Sequence, residues 1–194
     1  TYILDSGSSD STLDICKANQ LIVETRTFTN HPEQWDYALK TFDIKTPWII
    51  GLDADQSVST ELYKFLNNFK DEDFKDINGI YFNRKYIFKG SWIKYGGYFP
   101  FYMLKMFRKG KGYSDLNEAM DHRFQTGGKT TICKTGFLIE QNHKENEIRF
   151  WIEKHNRYSD ILSNGRTTGM LQQSTRRFFG TINERNAWLK NIWN

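Results

Sequence analysis

Trp48-Ile49-Ile50-Gly51-Leu52-Asp53-Ala54-Asp55 decides how the chain is read. Five uncharged residues run straight into two carboxylates one residue apart. A short apolar run bounded by polar turns reads as a buried strand. Upstream, Trp35, Ala38, Leu39 and Phe42 fall at helical offsets, with Pro32 suited to the first turn and Pro47 closing the pattern. Downstream, Ser59 is placed to cap a helix carrying Leu62, Phe65, Leu66 and Phe69, and Gly79 to Phe82 reads as a fourth strand. Further upstream, Tyr2-Ile3-Leu4 is a strand ending at Asp5. A small-residue turn follows, Ser6-Gly7-Ser8-Ser9-Asp10, then a helix with Ser11-x-x-Asp14 as a capping box and Leu13 and Cys16 facing inward. Leu21-Ile22-Val23 is the remaining strand of this half. Short apolar runs alternating with helical patterns predict an α/β fold with a largely parallel sheet.

The chain has 194 residues, enough for one domain with a sizeable core, and 16% of them are aromatic. That aromatic content excludes a disordered or low-complexity chain. No apolar run approaches the roughly 20 residues a membrane-spanning helix needs. Cys16 and Cys133 belong to no Cys-x-x-Cys pair, so a cysteine zinc site and a disulfide scaffold are both poor fits, and a reducing cytosol is the simpler setting.

The formal charge is +4, and the whole excess sits at the end. Residues 161–194 hold Arg166, Arg176, Arg177, Arg185 and Lys190 against Glu184 alone. A basic tail suits either a solvated helix face or peripheral contact with an anionic membrane surface. Residues 84–112 are aromatic and basic without a clean period, which marks a functional region. Ile148, Trp151, Ile152, His155, Ile161 and Leu162 mark a long helix, and Phe179, Ile182, Leu189 and Trp193 an amphipathic one. The opening inside a strand suggests an element ahead of residue 1. The Trp-rich end fits a cut ahead of an interfacial segment.

Two strand ends carry the chemistry. Asp53 and Asp55, at a strand's carboxyl end, can both reach one Mg²⁺ or Mn²⁺, and such an ion bridges a diphosphate. Asp5, at another strand end, can accept hydrogen bonds from a base or ribose, and the small turn and helix start after it admit a nucleotide.

Together these elements resemble the family-two glycosyltransferases with a GT-A fold. That family's "D-x-G-S-x-D-x-T" and "D-A-D" elements read here Asp5-Ser6-Gly7-Ser8-Ser9-Asp10-Ser11-Thr12 and Asp53-Ala54-Asp55. The likeness extends through Trp35 to Leu39, Gly90 to Pro100 and Leu104 to Arg108, which look like the branch that builds lipopolysaccharide cores, capsules and exopolysaccharides. It implies a three-layer α/β/α fold with a Rossmann-like, mostly parallel sheet, here lacking its first strand. Residues 1–80 would form the nucleotide-sugar half, 81–160 the acceptor half and 161–194 a basic amphipathic tail.

The implied activity is metal-dependent, inverting transfer of a sugar from a nucleotide-diphospho-sugar to a hydroxyl of a glycan or lipid-linked acceptor. The implied location is the cytoplasm, peripheral to the inner membrane. In that pattern Asp5, Ser6, Gly7, Ser8, Asp53, Ala54 and Asp55 bind the nucleotide sugar, and Arg84, Lys105 and Arg108 meet its diphosphate. Asp55 is the main metal ligand, with Asp53 and His143 assisting. Asp121 or His122 is the base, and Trp92, Tyr95, Tyr98 and Phe99 line the acceptor groove.

The chain departs from the family in two places. A strand with a Pro-Thr-x-Asn-Glu-like nucleotide contact is missing. The acceptor-side motif reads Met120-Asp121-His122-Arg123-Phe124 rather than an acidic pair or His-Glu. Two other readings stand beside it: an inactive nucleotide-sugar-binding or scaffold domain, and, less well matched, a haloacid-dehalogenase-like phosphatase, whose D-x-D-x-Thr/Val motif Asp53-Ala54-Asp55-Gln56-Ser57 narrowly misses. A nucleic-acid module is disfavoured, because the basic and aromatic residues form no recognised motif.

Overall fold

Strands β1 (Tyr2–Asp5) and β2 (Ile22–Thr25) pair in parallel, joined by helix α1 (Thr12–Ala18). The structure is a computed structural model that describes residues 1–118 and 122–167. Helix α2 (His31–Thr41) follows, its N-terminus capped by the Asn30 side chain and Pro32 in its first turn. Strand β3 (Trp48–Ile50), strand β4 (Gln56–Val58) and helix α3 (Thr60–Asn67) come next, and Ser59 accepts from the Leu62 N–H as its position predicts. The second half is strand-rich: β5 (Ile77–Phe88), β6 (Ser91–Trp92), β7 (Tyr102–Arg108), β8 (Gly112–Ser114), β9 (Phe124–Thr126), β10 (Lys129–Ile132) and β11 (Leu138–Glu140). Helix α4 (Ile148–Thr167) ends the described chain.

The architecture is mixed α/β, but the sheet is not the mostly parallel one expected. Its main path runs β3-β7-β5-β11-β4, with β10 and β6 also paired to β5. Of the eight strand pairings described, five are antiparallel. The cause lies in residues 84–112. Phe88 pairs with Ser91 across Lys89 and Gly90, both at positive φ (49° and 76°). That is the backbone of a two-residue type I′ hairpin turn, for which glycine is well suited. The chain then returns as β7 alongside β5. No period is visible in β7 because Leu104, Lys105, Met106 and Phe107 are consecutively buried.

Alternate residues of β3 and β5 feed two cores. Trp48, Ile80 and Phe82 join Leu62, Met106, Cys133 and Leu138, with Phe65 and Leu66 of α3 packed on them. Ile49 and Tyr81 join Leu104, Phe107 and Phe124 beneath Trp35 and Leu39 of α2. Period-two alternation therefore places α3 on one face of the sheet and α2 on the other.

Three local expectations differ. Ser11 makes no side-chain cap on α1. Asp10 does that work, accepting from the Thr12 N–H at 3.0 Å. Leu13 is exposed, and only Cys16 of the expected pair is buried. Helix α4 runs through residue 160 to Thr167, so no helix end marks the expected boundary there. The segment 168–194, with most of the basic tail, lies outside the described residues. No helix among the described residues is long and apolar enough to cross a membrane.

Gly136 fixes how β11 enters under α3. Its φ is +71°, and a Cβ there would lie 2.3 Å from the Leu62 backbone nitrogen. Gly136→Ala is expected to cost about 2–3 kcal/mol through combined backbone strain and displacement of α3. A lower urea midpoint with an unchanged m-value checks it.

Candidate functional site

Beyond Ile50 the chain leaves the sheet and turns, with the Gln56 N–H donating to the Asp53 carbonyl at 2.9 Å. This turn sets the two carboxylates in different surroundings. Lys105 Nζ donates to Asp53 Oδ2 at 2.6 Å, and Trp35 Nε1 donates to Oδ1 at 3.2 Å. Lys105 is 1% exposed, a charge inside a buried strand that needs this partner. Burial alone would raise the Asp53 carboxyl, but the Lys105 ammonium, its hydrogen bond and the one from Trp35 hold it below the usual carboxylate range.

Asp55 differs. Its carbonyl accepts from the Gln141 N–H at 2.9 Å, which ties it to the end of β11. Its carboxyl is pushed up by burial first and by the negative charge of Asp53 second, with Lys154 pulling the other way. Two nearby carboxylates, one neutralised by lysine and one not, leave Asp55 as the uncompensated negative charge.

The other strand end converges on the same place. Asp5 is buried and accepts from the Gly7 N–H (2.8 Å), the Ser8 N–H (3.0 Å) and the Ser8 hydroxyl (2.5 Å). Its carboxyl is lowered by the Ser8 side chain above all. Asp5 therefore shapes its own turn, and the exposed Ser6 and Ser8 are the groups presented outward. Consecutive residues of α2 join the two turns: Gln34 Nε2 donates to Ser6 Oγ at 2.9 Å, and Trp35 donates to Asp53.

The cations expected at a diphosphate are placed otherwise. Arg84 is paired with Glu140 at 2.8 Å, and Glu140 also accepts from Gln56 Nε2 at 2.9 Å. Arg108 stands opposite Trp48, at the far end of β3 from Asp53. There it donates to the carbonyls of Ile77 and Phe74 and pairs with Asp71. Antiparallel pairing of β7 with β3 explains this, since Lys105 then falls at the carboxyl end and Arg108 at the amino end.

His143 is exposed in the short turn His143–Asn146 that follows β11. Ala54 is exposed. Asp121 lies outside the described residues. Among those described, no three His, Cys, Asp or Glu side chains are arranged to hold a metal ion by themselves. The donor chemistry at Asp55 still fits a Mg²⁺- or Mn²⁺-type ion, which takes one or two carboxylates and fills its shell with water and phosphate oxygens.

His122 is 3% exposed, 4.0 Å from Asp53 Oδ1, and packed against the rings of Trp35 and Phe124. Burial first, and Lys105 second, push its pKa down to about 3. So weak a base is poorly matched to taking a proton near neutral pH. The depressed value also fixes a sign. Between the unfolded pKa near 6.5 and the folded one, the unfolded chain binds more protons, so stability falls as pH falls through that window. His122→Phe is expected to flatten stability between pH 6.5 and 4, read from urea midpoints across that range.

Glu145 gave no signal in the sequence, because an acid in a polar turn reads as solvated. It is 4% exposed, accepts from Lys154 at 2.5 Å and from the Tyr86 hydroxyl, and fixes the start of α4 beside Asp55. Burial would raise its carboxyl, but those two partners hold it low. Of the residues expected to line an acceptor groove, Tyr98 stacks on Tyr86 at 5.3 Å, Trp92 is half-buried against Phe99, and Tyr95 is exposed.

Comparison with known protein families finds none whose pattern matches this chain, and no curated protein matches it.

Proposed function

We infer that this chain is a metal-dependent glycosyltransferase domain of the family-two, GT-A type. It would move a sugar from a nucleotide-diphospho-sugar to a hydroxyl of a glycan or lipid-linked acceptor in cell-surface polysaccharide synthesis. The observation that carries this reading is the convergence of two acidic strand-end turns on adjacent residues of α2, Gln34 and Trp35. Ligands of α/β sheets sit in crevices at the carboxyl ends of strands.

Asp55 would hold Mn²⁺ or Mg²⁺, and the ion's contribution when bound is to offset charge on the leaving diphosphate. The chain's own groups do the rest. The Asp53–Lys105 pair keeps the turn rigid and its own charge neutral, so that Asp55 faces the ligand alone. In the Asp5 turn the exposed Ser6 hydroxyl, which accepts from Gln34, keeps its own donor for the nucleotide, while the Ser8 groups hold Asp5 in place. The acceptor oxygen attacks the anomeric carbon in line as the nucleoside diphosphate departs, and Asp121 takes the acceptor proton. The cytoplasmic face of the inner membrane is the setting this chemistry suits.

A second reading, nucleotide-sugar binding without turnover, is favoured by one feature. Arg84 and Lys105, two of the cations expected at the diphosphate, are each paired with an internal carboxylate. Incubation with a panel of nucleotide sugars and Mn²⁺ separates the two. Release of nucleoside diphosphate supports the transferase. Mn²⁺-dependent nucleotide binding with no release or transfer on any acceptor supports the binding domain, and no nucleotide binding at all removes both.

A further inference from the structure

Between residues 84 and 112 the chain carries eight lysines and arginines and no aspartate or glutamate. Folding concentrates part of that charge on one aromatic platform. Trp92 pairs with Ile87, so its side chain shares a face of β5 with Lys85. Lys85 Nζ lies 4.5 Å from the centre of the Trp92 ring and 3.9 Å from that of Phe137, and Lys94 Nζ lies 4.6 Å from the centre of the Trp92 ring. Phe99 meets the same indole edge-on at 4.9 Å. Beside it Tyr95 is 84% exposed.

Two ammonium groups thus converge on one indole. Among the described residues neither Lys85 nor Lys94 has an ion-pair partner. Glu61 of α3 accepts from the Ser59 hydroxyl and is influenced electrostatically by Lys85. Ring faces attract ammonium groups but do not neutralise them. Two ammonium groups held this close to one ring suit an anionic group.

Tyr98, three residues beyond Tyr95, stacks on Tyr86, which alternates with Lys85 along β5 and so lies on the other face of that strand, where its hydroxyl donates to Glu145.

We propose that the Lys85–Trp92–Lys94 platform, with Tyr95 at its rim, binds an anionic saccharide, so that the acceptor is a sugar bearing a phosphate or carboxylate. The proposal rests on the transferase reading for the word acceptor, but the binding site stands on its own geometry. The exposed Tyr95 ring takes the apolar face of a sugar, and the two ammonium groups held at Trp92 take its anion through charge-assisted hydrogen bonds. A lipid surface is the poorer occupant. Trp92, Phe99 and Phe137 pack on one another, leaving Tyr95 as the one large ring of the platform that is mostly exposed.

The test uses the full chain, with glucose 6-phosphate and glucose as probes, by ligand-observed NMR and calorimetry. Glucose 6-phosphate is expected to bind about tenfold tighter than glucose, and the Lys85→Gln/Lys94→Gln variant to erase that difference. Tyr95→Ala, at an exposed site, should weaken both sugars alike. Equal binding of the two probes overturns the proposal, and so does a preference that survives in the double variant. It is also overturned if the substitutions instead abolish binding to phosphatidylglycerol vesicles or to poly(U), with sugar binding unchanged. Mn²⁺-dependent nucleotide binding is measured on the same samples and should be unaltered in both variants. Its absence from the unaltered chain would sink the transferase reading, while the sugar-phosphate contrast would still decide the platform.

Discussion

Asp53→Ala is expected to lower stability by about 3–5 kcal/mol, because it strands a lysine with no other route to water. Lys105 is 1% exposed, whereas the Asp53 side chain keeps 29% exposure. The two halves of the pair are therefore unequal. Lys105→Met leaves a carboxylate that can still be hydrated, and should cost only about 1–2 kcal/mol. Asp53→Ala/Lys105→Met should recover most of the loss, since neither charge is then unpaired. At roughly 2–4 °C per kcal/mol for a chain of this size, the single Asp53 variant should melt about 6–20 °C lower. Urea and thermal melts of the three variants test the order. A cost below 1 kcal/mol for Asp53→Ala would show that the pair contributes little to the fold.

Asp55→Ala should do the reverse: little or no loss of stability, and a loss of Mn²⁺-supported nucleotide binding and turnover of about a hundredfold or more. The carboxyl is raised by burial and by Asp53. A group raised in the folded state favours folding fully below its unfolded pKa near 3.9, and that contribution is lost as pH rises through the folded value. Relative to wild type, Asp55→Ala should therefore gain stability as pH rises from 4 to 7. Calorimetric nucleotide titrations with and without Mn²⁺, beside urea midpoints at both pH values, measure the two effects. Nucleotide affinity in Asp55→Ala equal to wild type, with Mn²⁺ present, would remove Asp55 from the metal role.

Much of the first half was legible because its elements announce themselves locally. Trp48 to Ile50 forms the expected strand, though a shorter one at the end of the sheet path with Trp48 buried and Ile50 39% exposed, and the helical spacing of Trp35, Ala38 and Leu39 had to face a core. The Ser59 cap followed from the backbone donors it satisfies. The second half was not legible by the same means. A buried strand such as β7 shows no alternation, and a lysine within it looks like a surface residue until its partner is known. Nor did local pattern reveal sheet direction. The type I′ turn at Lys89-Gly90 sends β6 back along β5, and the following residues bring β7 into antiparallel register, where a crossover helix would have kept it parallel.

By itself the sequence determined the mixed α/β character, the strand that ends in Asp5, the strand that runs toward Asp53, and the helices that follow them, because periodicity and capping act over a few residues. Tertiary structure alone decided which carboxylate is spent on Lys105 and which stays uncompensated, that Arg108 lies at the wrong end, and that Glu145 is buried. Those outcomes depend on register between strands distant along the chain. A charge's role is set by what long-range pairing brings within a few ångströms of it.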